Sequence, residues 1–288
     1  MGKKGKKAQA GKPKKLTPKD VGKRLNALAK HLEGELKDAD LFAPLPPTED
    51  CAICLVPLLR GHSEIYYQPC CGNSICWACY EENKASIKKQ NEDKNAGKKL
   101  AFTCPFCREP ELTASPEFLR QLQARCLLKD HNALVLMGEL YSRGAPPEMP
   151  KDDLKALDCF SRAVEFGSGE ACVNIGTSYR EGEGVSVDKE RAALFMRVGA
   201  TRGSIVARHN IGWDEYYTFG NHEIGIRHWK IAAEAGHQCS LNELRDIYDA
   251  YGKKPGKKFI SEEYLDFATL ACHEAQEEVK SEEREKHR

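Results

Sequence analysis

The sequence predicts a mainly α-helical chain in which a small metal-stabilised domain precedes a solenoid of helical repeats. Two observations carry this prediction. Eight of the 13 cysteines fall between Cys51 and Cys107, and a Gly-x-x-Tyr-x-x-Gly pattern that starts at Gly138 recurs 38 residues later at Gly176. The length of 288 residues also suits about two domains, which is enough for a sizeable core.

The charge of the chain is unevenly distributed. The formal net charge is +1, yet residues 1–19 hold eight lysines and no acidic residue, so +1 minus +8 leaves −7 on the rest. Residues 1–16 are predicted to be a disordered basic tail, because they lack large apolar side chains before Leu16. Nuclear import, weak phosphate binding and simple solubilisation all remain open as roles for this tail.

Residues 17–47 predict an amphipathic helix followed by a proline-rich linker. Thr17 can cap the helix, Pro18 suits its first position, and Asp20 adds negative charge to the first turn. The apolar residues that follow at steps of three and four predict one packing face: Val21, Leu25, Leu28, Leu32 and Leu36. The segment 43–47 is expected to stop the helix and form the linker.

Residues 116–275 are predicted to form the repeats. A period of this length with two helical segments is typical of a helical-hairpin solenoid, in which small residues such as Ala163 let neighbouring helices approach closely. The pattern resembles Sel-one-like repeats of the tetratricopeptide superfamily and is clearest over Ile175–Ala193. The resemblance implies a surface that binds protein partners without performing chemistry. Residues 276–288 are expected to be a charged tail.

The cysteine-rich unit, residues 48–112, contains three Cys-x-x-Cys pairs and one Cys-Cys pair. Its eight cysteines are Cys51, Cys54, Cys70, Cys71, Cys76, Cys79, Cys104 and Cys107. Eight thiolates are the number that two tetrahedral zinc ions need. A unit this small needs such support, and structural zinc typically contributes ~10–16 kcal/mol per site. A disulfide framework and an iron–sulfur cluster are less favoured alternatives.

The expected compartment follows from the absence of export signals. The chain starts with a polar, lysine-rich segment and has no apolar run of the length of a membrane span, which is about 18 residues. We therefore expect no membrane partner and a reducing location in the cytoplasm, the nucleus or both, where clustered cysteines bind metal more often than they form disulfides.

The order of the cysteine pairs resembles the RING finger family. The resemblance covers about residues 51–108 and rests on three segments: 51–54, 69–79 and 104–108. It implies a cross-brace in which the first and third pairs hold one zinc ion and the second and fourth pairs hold the other.

This sequence departs from the common RING pattern at two places. Asn73 stands where the common form has histidine, so the unit resembles an all-cysteine variant. Cys70 and Cys71 can then serve one ion only in a tight turn, which Gly72 makes accessible; His62 is a less favoured reserve ligand. The second departure is the spacer of 24 residues after Cys79, which is expected to be a flexible insertion.

The RING resemblance implies a ubiquitin ligase that binds a ubiquitin-conjugating enzyme through Ile53, Pro105 and Arg108, while the repeats bind a protein substrate. Such a ligase orients a thioester carried by the enzyme and needs no catalytic residue of its own. These three residues could instead serve only packing or surface charge. A non-catalytic scaffold with a structural zinc domain is therefore the alternative. A nucleic-acid-associated factor is less favoured, because the positive charge is confined to the tail and the spacer.

Overall fold

The computed structural model describes residues 16–37, 39–55, 57–58, 65–92, 101–110, 115–144, 149–252 and 260–277. Within these residues the chain forms eleven α-helices and one two-stranded sheet. The first part contains α1 (Pro18–Leu36), β1 (Ile65–Gln68), β2 (Asn73–Cys76), α2 (Trp77–Glu92) and α3 (Pro116–Leu127). The second part contains α4 (His131–Arg143), α5 (Asp153–Glu165), α6 (Gly169–Glu181), α7 (Lys189–Thr201), α8 (Ile205–Trp213), α9 (His222–Glu234), α10 (Gln238–Ile247) and α11 (Glu262–Glu277).

The helices from α4 onward pair consecutively, as the repeat period predicts. A glycine in the first helix of each pair lies against a large side chain of the second. A Cβ added at Gly138 would lie 2.4 Å from the ring of Phe160, and one at Gly212 would lie 2.7 Å from the indole of Trp229. Phe160 and Trp229 are buried, so the close approach of the two helices depends on the missing side chain.

The caps of the repeat helices also recur. Ser168 and Ser204 accept hydrogen bonds at the starts of α6 and α8, and Gly182 ends α6 in the left-handed conformation, with φ of 81°. The third pair has two more residues between its glycines, Gly212 and Gly220, than the first. They are accommodated by a π-helical turn directly after α8.

Helix α1 packs on the repeats and continues their core. Thr17 caps it and Asp20 lies in its first turn, as predicted. Leu25 and Leu32 are fully buried in the same apolar cluster as α5, α6 and α7. Two ion pairs hold its polar edge: Arg24 contacts Asp158, and Glu35 lies 3.1 Å from Arg202. The amphipathic stripe therefore marks a packing face within this chain.

The helix ends earlier than predicted, at Leu36 and not near the prolines. The physical reason lies in the segment that follows. The guanidinium of Arg208 donates hydrogen bonds to the carbonyl oxygens of Leu41, at 2.6 Å, and Ala43, at 3.4 Å. The ring of Phe42 lies 4.8 Å from His228 and under the guanidinium of Arg227. These contacts require the chain to leave the helical path before residue 41.

The prediction of a flexible insertion after Cys79 is wrong for residues 80–92. They form most of α2, in which Ile87 is buried and the amide of Asn83 donates to the carbonyl oxygen of Thr103 at 3.0 Å. Glu81 and Lys84 form an ion pair one turn apart, and the ammonium of Lys84 lies over the ring of Tyr80. The helix is thus anchored to the turn that carries the last cysteine pair. Residues 93–100 of the spacer lie outside the described residues.

Several other predictions fall outside what the structure describes. These are the basic tail before residue 16, the reserve ligand His62 and the charged tail after residue 277. Among the described residues no helix is long and apolar enough to cross a membrane.

Candidate metal centres

The first group of four cysteines joins two separate segments. Cys51 and Cys54 belong to the turn before the sheet, Cys76 ends β2, and Cys79 lies in the first turn of α2. Their four sulfur atoms all lie within 4.8 Å of one another, and the Cys54 and Cys76 sulfurs are 3.9 Å apart. The antiparallel pairing of β1 with β2 positions Cys76 beside the first turn, where its backbone N–H donates to the Cys51 sulfur at 3.4 Å.

The second group joins the turn of the hairpin to the last cysteine pair. The sulfurs of Cys70, Cys71, Cys104 and Cys107 also lie within 4.8 Å of one another. Cys71 and Cys104 are 3.7 Å apart. The two adjacent cysteines reach one point because the chain turns sharply there: the N–H groups of Cys71 and Gly72 both donate to the carbonyl oxygen of Gln68, and Gly72 has φ of 82°. The tight turn is therefore present.

The two groups interleave along the sequence. The first and third cysteine pairs form one group, and the second and fourth pairs form the other. This is the grouping that the RING resemblance implies. An interleaved arrangement ties the hairpin, α2 and the first and last Cys-x-x-Cys turns together, because each group joins two segments that are distant in the sequence.

The first and last Cys-x-x-Cys turns have the same backbone geometry. Leu55 and Arg108 each follow the second cysteine of a pair and have φ of 59° and 63°, values that non-glycine residues seldom adopt. In each turn the N–H of this residue donates to the carbonyl oxygen of the first cysteine, at 2.9 Å from Leu55 to Cys51 and 3.1 Å from Arg108 to Cys104. The repeated strain indicates that the convergence of the sulfurs is enforced by the surrounding fold.

The sulfur spacing fits a tetrahedral metal site. Zinc–sulfur bonds of about 2.3 Å in a tetrahedron separate the sulfurs by about 3.8 Å, close to the 3.9 Å and 3.7 Å observed between two of the pairs. A disulfide would need a distance of about 2.05 Å between the two sulfur atoms, and all 13 cysteines are free. Sets of four thiolates suit zinc or iron and are unsuited to magnesium or calcium. Each group could therefore hold one such ion.

The protonation of the first group shows why a cation would stabilise it. The Cys76 thiol donates to the sulfur of Cys51, which lowers the pKa of Cys51 to about 4, while the same contact raises the pKa of Cys76. Burial is the main factor that raises the pKa of Cys79, to about 12. Four thiols this close cannot all ionise by themselves, and a divalent cation removes that penalty.

The residues predicted to contact a conjugating enzyme all lie on the two Cys-x-x-Cys turns. Ile53 is 43% exposed, Pro105 is half-buried, and Arg108 is exposed. Trp77, at the start of α2, is 44% exposed and was not among the residues predicted to contact the enzyme. Its ring centroid lies 5.3 Å from that of Tyr80. The available signal was a large aromatic residue directly after a cysteine of the third pair.

The cysteine-rich unit is docked on the helices that follow it. The hydroxyl of Tyr67, in β1, donates to Asp130 at 2.5 Å, and Arg125, in α3, donates to the carbonyl oxygen of Pro69 at 3.4 Å. A Cβ at Gly72 would lie 2.8 Å from the guanidinium of Arg125. Gly72 thus serves both the turn of the second group and the contact with α3, so the metal unit and the repeats have a defined relative position.

The comparisons with known proteins concern the helical part. A family model described as the Sel1 repeat matches residues 131–167, 169–204 and 206–237. The chain is therefore similar to three Sel1 repeats over residues 131–237. The cysteine-rich unit has no such match. No curated protein sequence matches the chain.

Solved structures also show similarity to the chain. A Sel1 repeat protein from Oxalobacter formigenes is 24% identical over 68% of this chain and 76% of its own, with a TM-score of 0.47. Immunity protein Pa5087 from Pseudomonas aeruginosa is 14% identical over 69% of this chain and 83% of its own, with a TM-score of 0.40. The protective antigen c5321 of uropathogenic Escherichia coli, described as having an SLR fold, is 18% identical over 73% of this chain and 49% of its own, with a TM-score of 0.32.

The Sel1 repeats support a role as a protein-interaction scaffold, because stacked helical hairpins form extended surfaces suited to protein partners. α10 and α11 continue the stack beyond the third repeat. Both helices begin within the range 116–275 that was predicted to form the repeats.

Proposed function

We propose that the protein is a RING-type ubiquitin ligase, or a ligase-associated adaptor, in which the cysteine-rich unit positions a ubiquitin-conjugating enzyme and the Sel1 repeats bind a protein substrate. The observation that carries this proposal is the interleaved grouping of the eight cysteine sulfurs. Interleaving distinguishes a cross-brace from two consecutive, independent zinc loops.

Each group of four cysteines would hold one Zn²⁺. The ions would supply structural cross-links and no reaction chemistry. The protein residues would do the rest: the two Cys-x-x-Cys turns present Ile53 and Pro105, and α2 presents Trp77, as apolar contacts for the enzyme.

Arg108 would act as the cation that contacts both the enzyme and its ubiquitin. Its side chain is exposed, and its backbone is held in a fixed conformation by the hydrogen bond to Cys104. A charged group on a rigid turn can orient a flexible thioester without forming a covalent bond, and orientation alone can accelerate a reaction strongly. The docking of Tyr67 on Asp130 would keep the substrate on the repeats at a constant distance from this turn.

The second candidate is a non-catalytic scaffold with a structural zinc domain. The match to Sel1 repeats supports it, since the repeats bind partners and require no transfer reaction. In this case Ile53 and Pro105 would pack the metal turns, and Arg108 would be a surface charge.

An autoubiquitination assay with a panel of conjugating enzymes separates the two functions. The ligase predicts chains that disappear with Cys51→Ser and weaken with Ile53→Ala or Arg108→Ala. Leu127→Ala and Arg120→Ala are matched controls, because both side chains are exposed on α3 and neither belongs to a Cys-x-x-Cys turn. Ubiquitin chain formation that is unaffected by the Ile53 and Arg108 variants would contradict the proposed contacts. If no conjugating enzyme in the panel gave ubiquitin chains, the ligase would be contradicted and the non-catalytic scaffold favoured.

A further inference from the structure

A cleft of about 720 Å³ lies between the cysteine-rich unit and the first helices of the repeats. One wall is formed by Ile65, Tyr66 and Tyr67 of β1. The other wall is formed by residues of α4, α6 and α8, including the apolar side chains of Val135, Val173 and Val206. The size is typical of a ligand site, and the cleft exists only because the two units are docked together.

Two carboxyl groups on neighbouring helices line the repeat wall. Glu139 is on α4 and Glu170 is in the first turn of α6. Burial raises the pKa of both, and the charge of Glu139 raises the pKa of Glu170 further. The two groups are therefore near enough to repel each other, and each would be more stable beside a cation.

Within the described part of the chain, basic side chains balance the charge of Glu139 and Glu170 only in part. Arg143 lies 3.0 Å from Glu139, but its own side chain is 70% exposed. Glu170 has the hydroxyl of Ser204 as its hydrogen-bond partner and forms no ion pair within the described part of the chain. Arg202, the basic residue of the cleft lining, is engaged elsewhere: it donates to Glu35 and to the carbonyl oxygen of Val164. The cleft consequently presents negative charge within apolar walls.

We propose that this cleft binds a peptide segment of a partner protein through a lysine or arginine side chain that reaches Glu170 and Glu139. The valines of the repeat wall and the tyrosines of β1 would cover the aliphatic stem of that side chain and the apolar residues beside it. Charge complementarity selects a basic segment over an acidic or neutral one. This binding does not depend on ubiquitin transfer and would hold equally for a scaffold.

The binding test starts from the full-length, zinc-loaded chain and a phage-displayed library of random 12-residue peptides. Selected peptides are expected to carry a lysine or arginine flanked by apolar residues. A synthetic copy of a selected peptide should lose about tenfold or more in affinity towards Glu170→Gln, since a charge-assisted hydrogen bond is removed. It should lose a similar factor when its basic residue is replaced by norleucine. Glu165→Gln is the matched control, because Glu165 is exposed at the end of α5.

Glutamine at these positions keeps the shape of the side chain and removes a partly buried charge, so the variants are expected to fold; a thermal unfolding scan checks this. The proposal is overturned if the library yields no binder, if the binders lack basic residues, or if Glu170→Gln and Glu139→Gln bind as tightly as the parent.

Deletion of residues 1–15 tests whether the chain's own lysine-rich tail occupies the cleft in place of a partner segment. A tenfold gain in peptide affinity on deletion would assign the cleft to the chain's own lysine-rich tail and overturn a partner segment.

Discussion

The hydroxyl of Tyr67 donates a 2.5 Å hydrogen bond to Asp130 Oδ2, and this contact links the hairpin of the cysteine-rich unit to the start of the first repeat. The other carboxylate oxygen of Asp130 accepts from the N–H groups of Asn132 and Ala133 and so caps α4. One carboxylate thus serves both a helix cap and a contact between domains. Burial and Asp130 together raise the pKa of Tyr67.

Tyr67→Phe is expected to lower the free energy of unfolding by about 1.5–3 kcal/mol, because a hydrogen bond to a charged group is lost in a partly buried place. Chemical denaturation measures this change, and hydrogen exchange at β1 should become faster. Tyr217→Phe is the control: its hydroxyl donates to Glu243 at 2.8 Å in an exposed setting, so about 0.5 kcal/mol or less is expected. Equal effects of the two variants would show that the Tyr67 contact does not hold the units together.

Gly212→Ala is expected to destabilise the repeats by about 1–3 kcal/mol, because the new Cβ would overlap the indole of Trp229. The indole cannot shift easily, since its N–H donates to the carbonyl oxygen of His209 at 3.1 Å. Gly34→Ala should change the free energy of unfolding in the opposite direction. A Cβ at Gly34 meets nothing within 4 Å, so the change should stabilise α1 by about 0.5–1 kcal/mol. Thermal unfolding of both variants measures the difference, and a stabilising Gly212→Ala would contradict the described packing.

The stability of the protein should fall as the pH drops through the range in which His228 titrates. Burial, and then the charge of Arg208, lower the pKa of His228 from 6.5 to about 4. The unfolded chain therefore binds a proton below pH 6.5 that the folded chain does not bind until about pH 4. Over this window the group reduces stability by about 3 kcal/mol, and above pH 6.5 the full stability is present.

His228→Gln tests this pH dependence, because a neutral amide cannot take up the proton. Denaturation at pH 7 and at pH 4.5 should show a smaller loss for the variant than for the parent. The pKa of His209 is also lowered by burial, so part of the loss will remain. His31→Gln changes an exposed side chain of α1 and should leave the loss intact. An identical pH dependence in the parent and in His228→Gln would rule out His228 as its source.

Several features of the fold are predictable from local patterns in the sequence. Thr17 and Pro18 marked the start of α1, the glycine period marked the repeat pairs, and the cysteine order implied the grouping of the sulfurs. The first of these signals depends on residues within one turn and the second on residues one repeat period apart. The grouping of the sulfurs is what the resemblance of the cysteine order to the RING finger family implied.

The features that could not be predicted depend on contacts between distant segments. Helix α2 was missed because its stability comes from Asn83 reaching Thr103 and from the burial of Ile87, and neither is visible in a lysine-rich spacer. The early end of α1 depends on Arg208, which is 167 positions away from Leu41. The docking of Tyr67 on Asp130 spans 63 positions. Spacing within a segment carries no information about such pairs.

Native mass spectrometry of the zinc-loaded chain tests whether each interleaved group of four cysteines holds one metal ion. The parent should carry two zinc ions. Cys54→Ser should weaken the first site and Cys104→Ser the second, whereas Cys239→Ser, in an exposed position on α10, should still carry two. Two bound ions in the parent, reduced in each variant of a grouped cysteine and unchanged in the control, is the predicted result. A single ion in the parent, or none, would contradict a cross-brace with two metal ions.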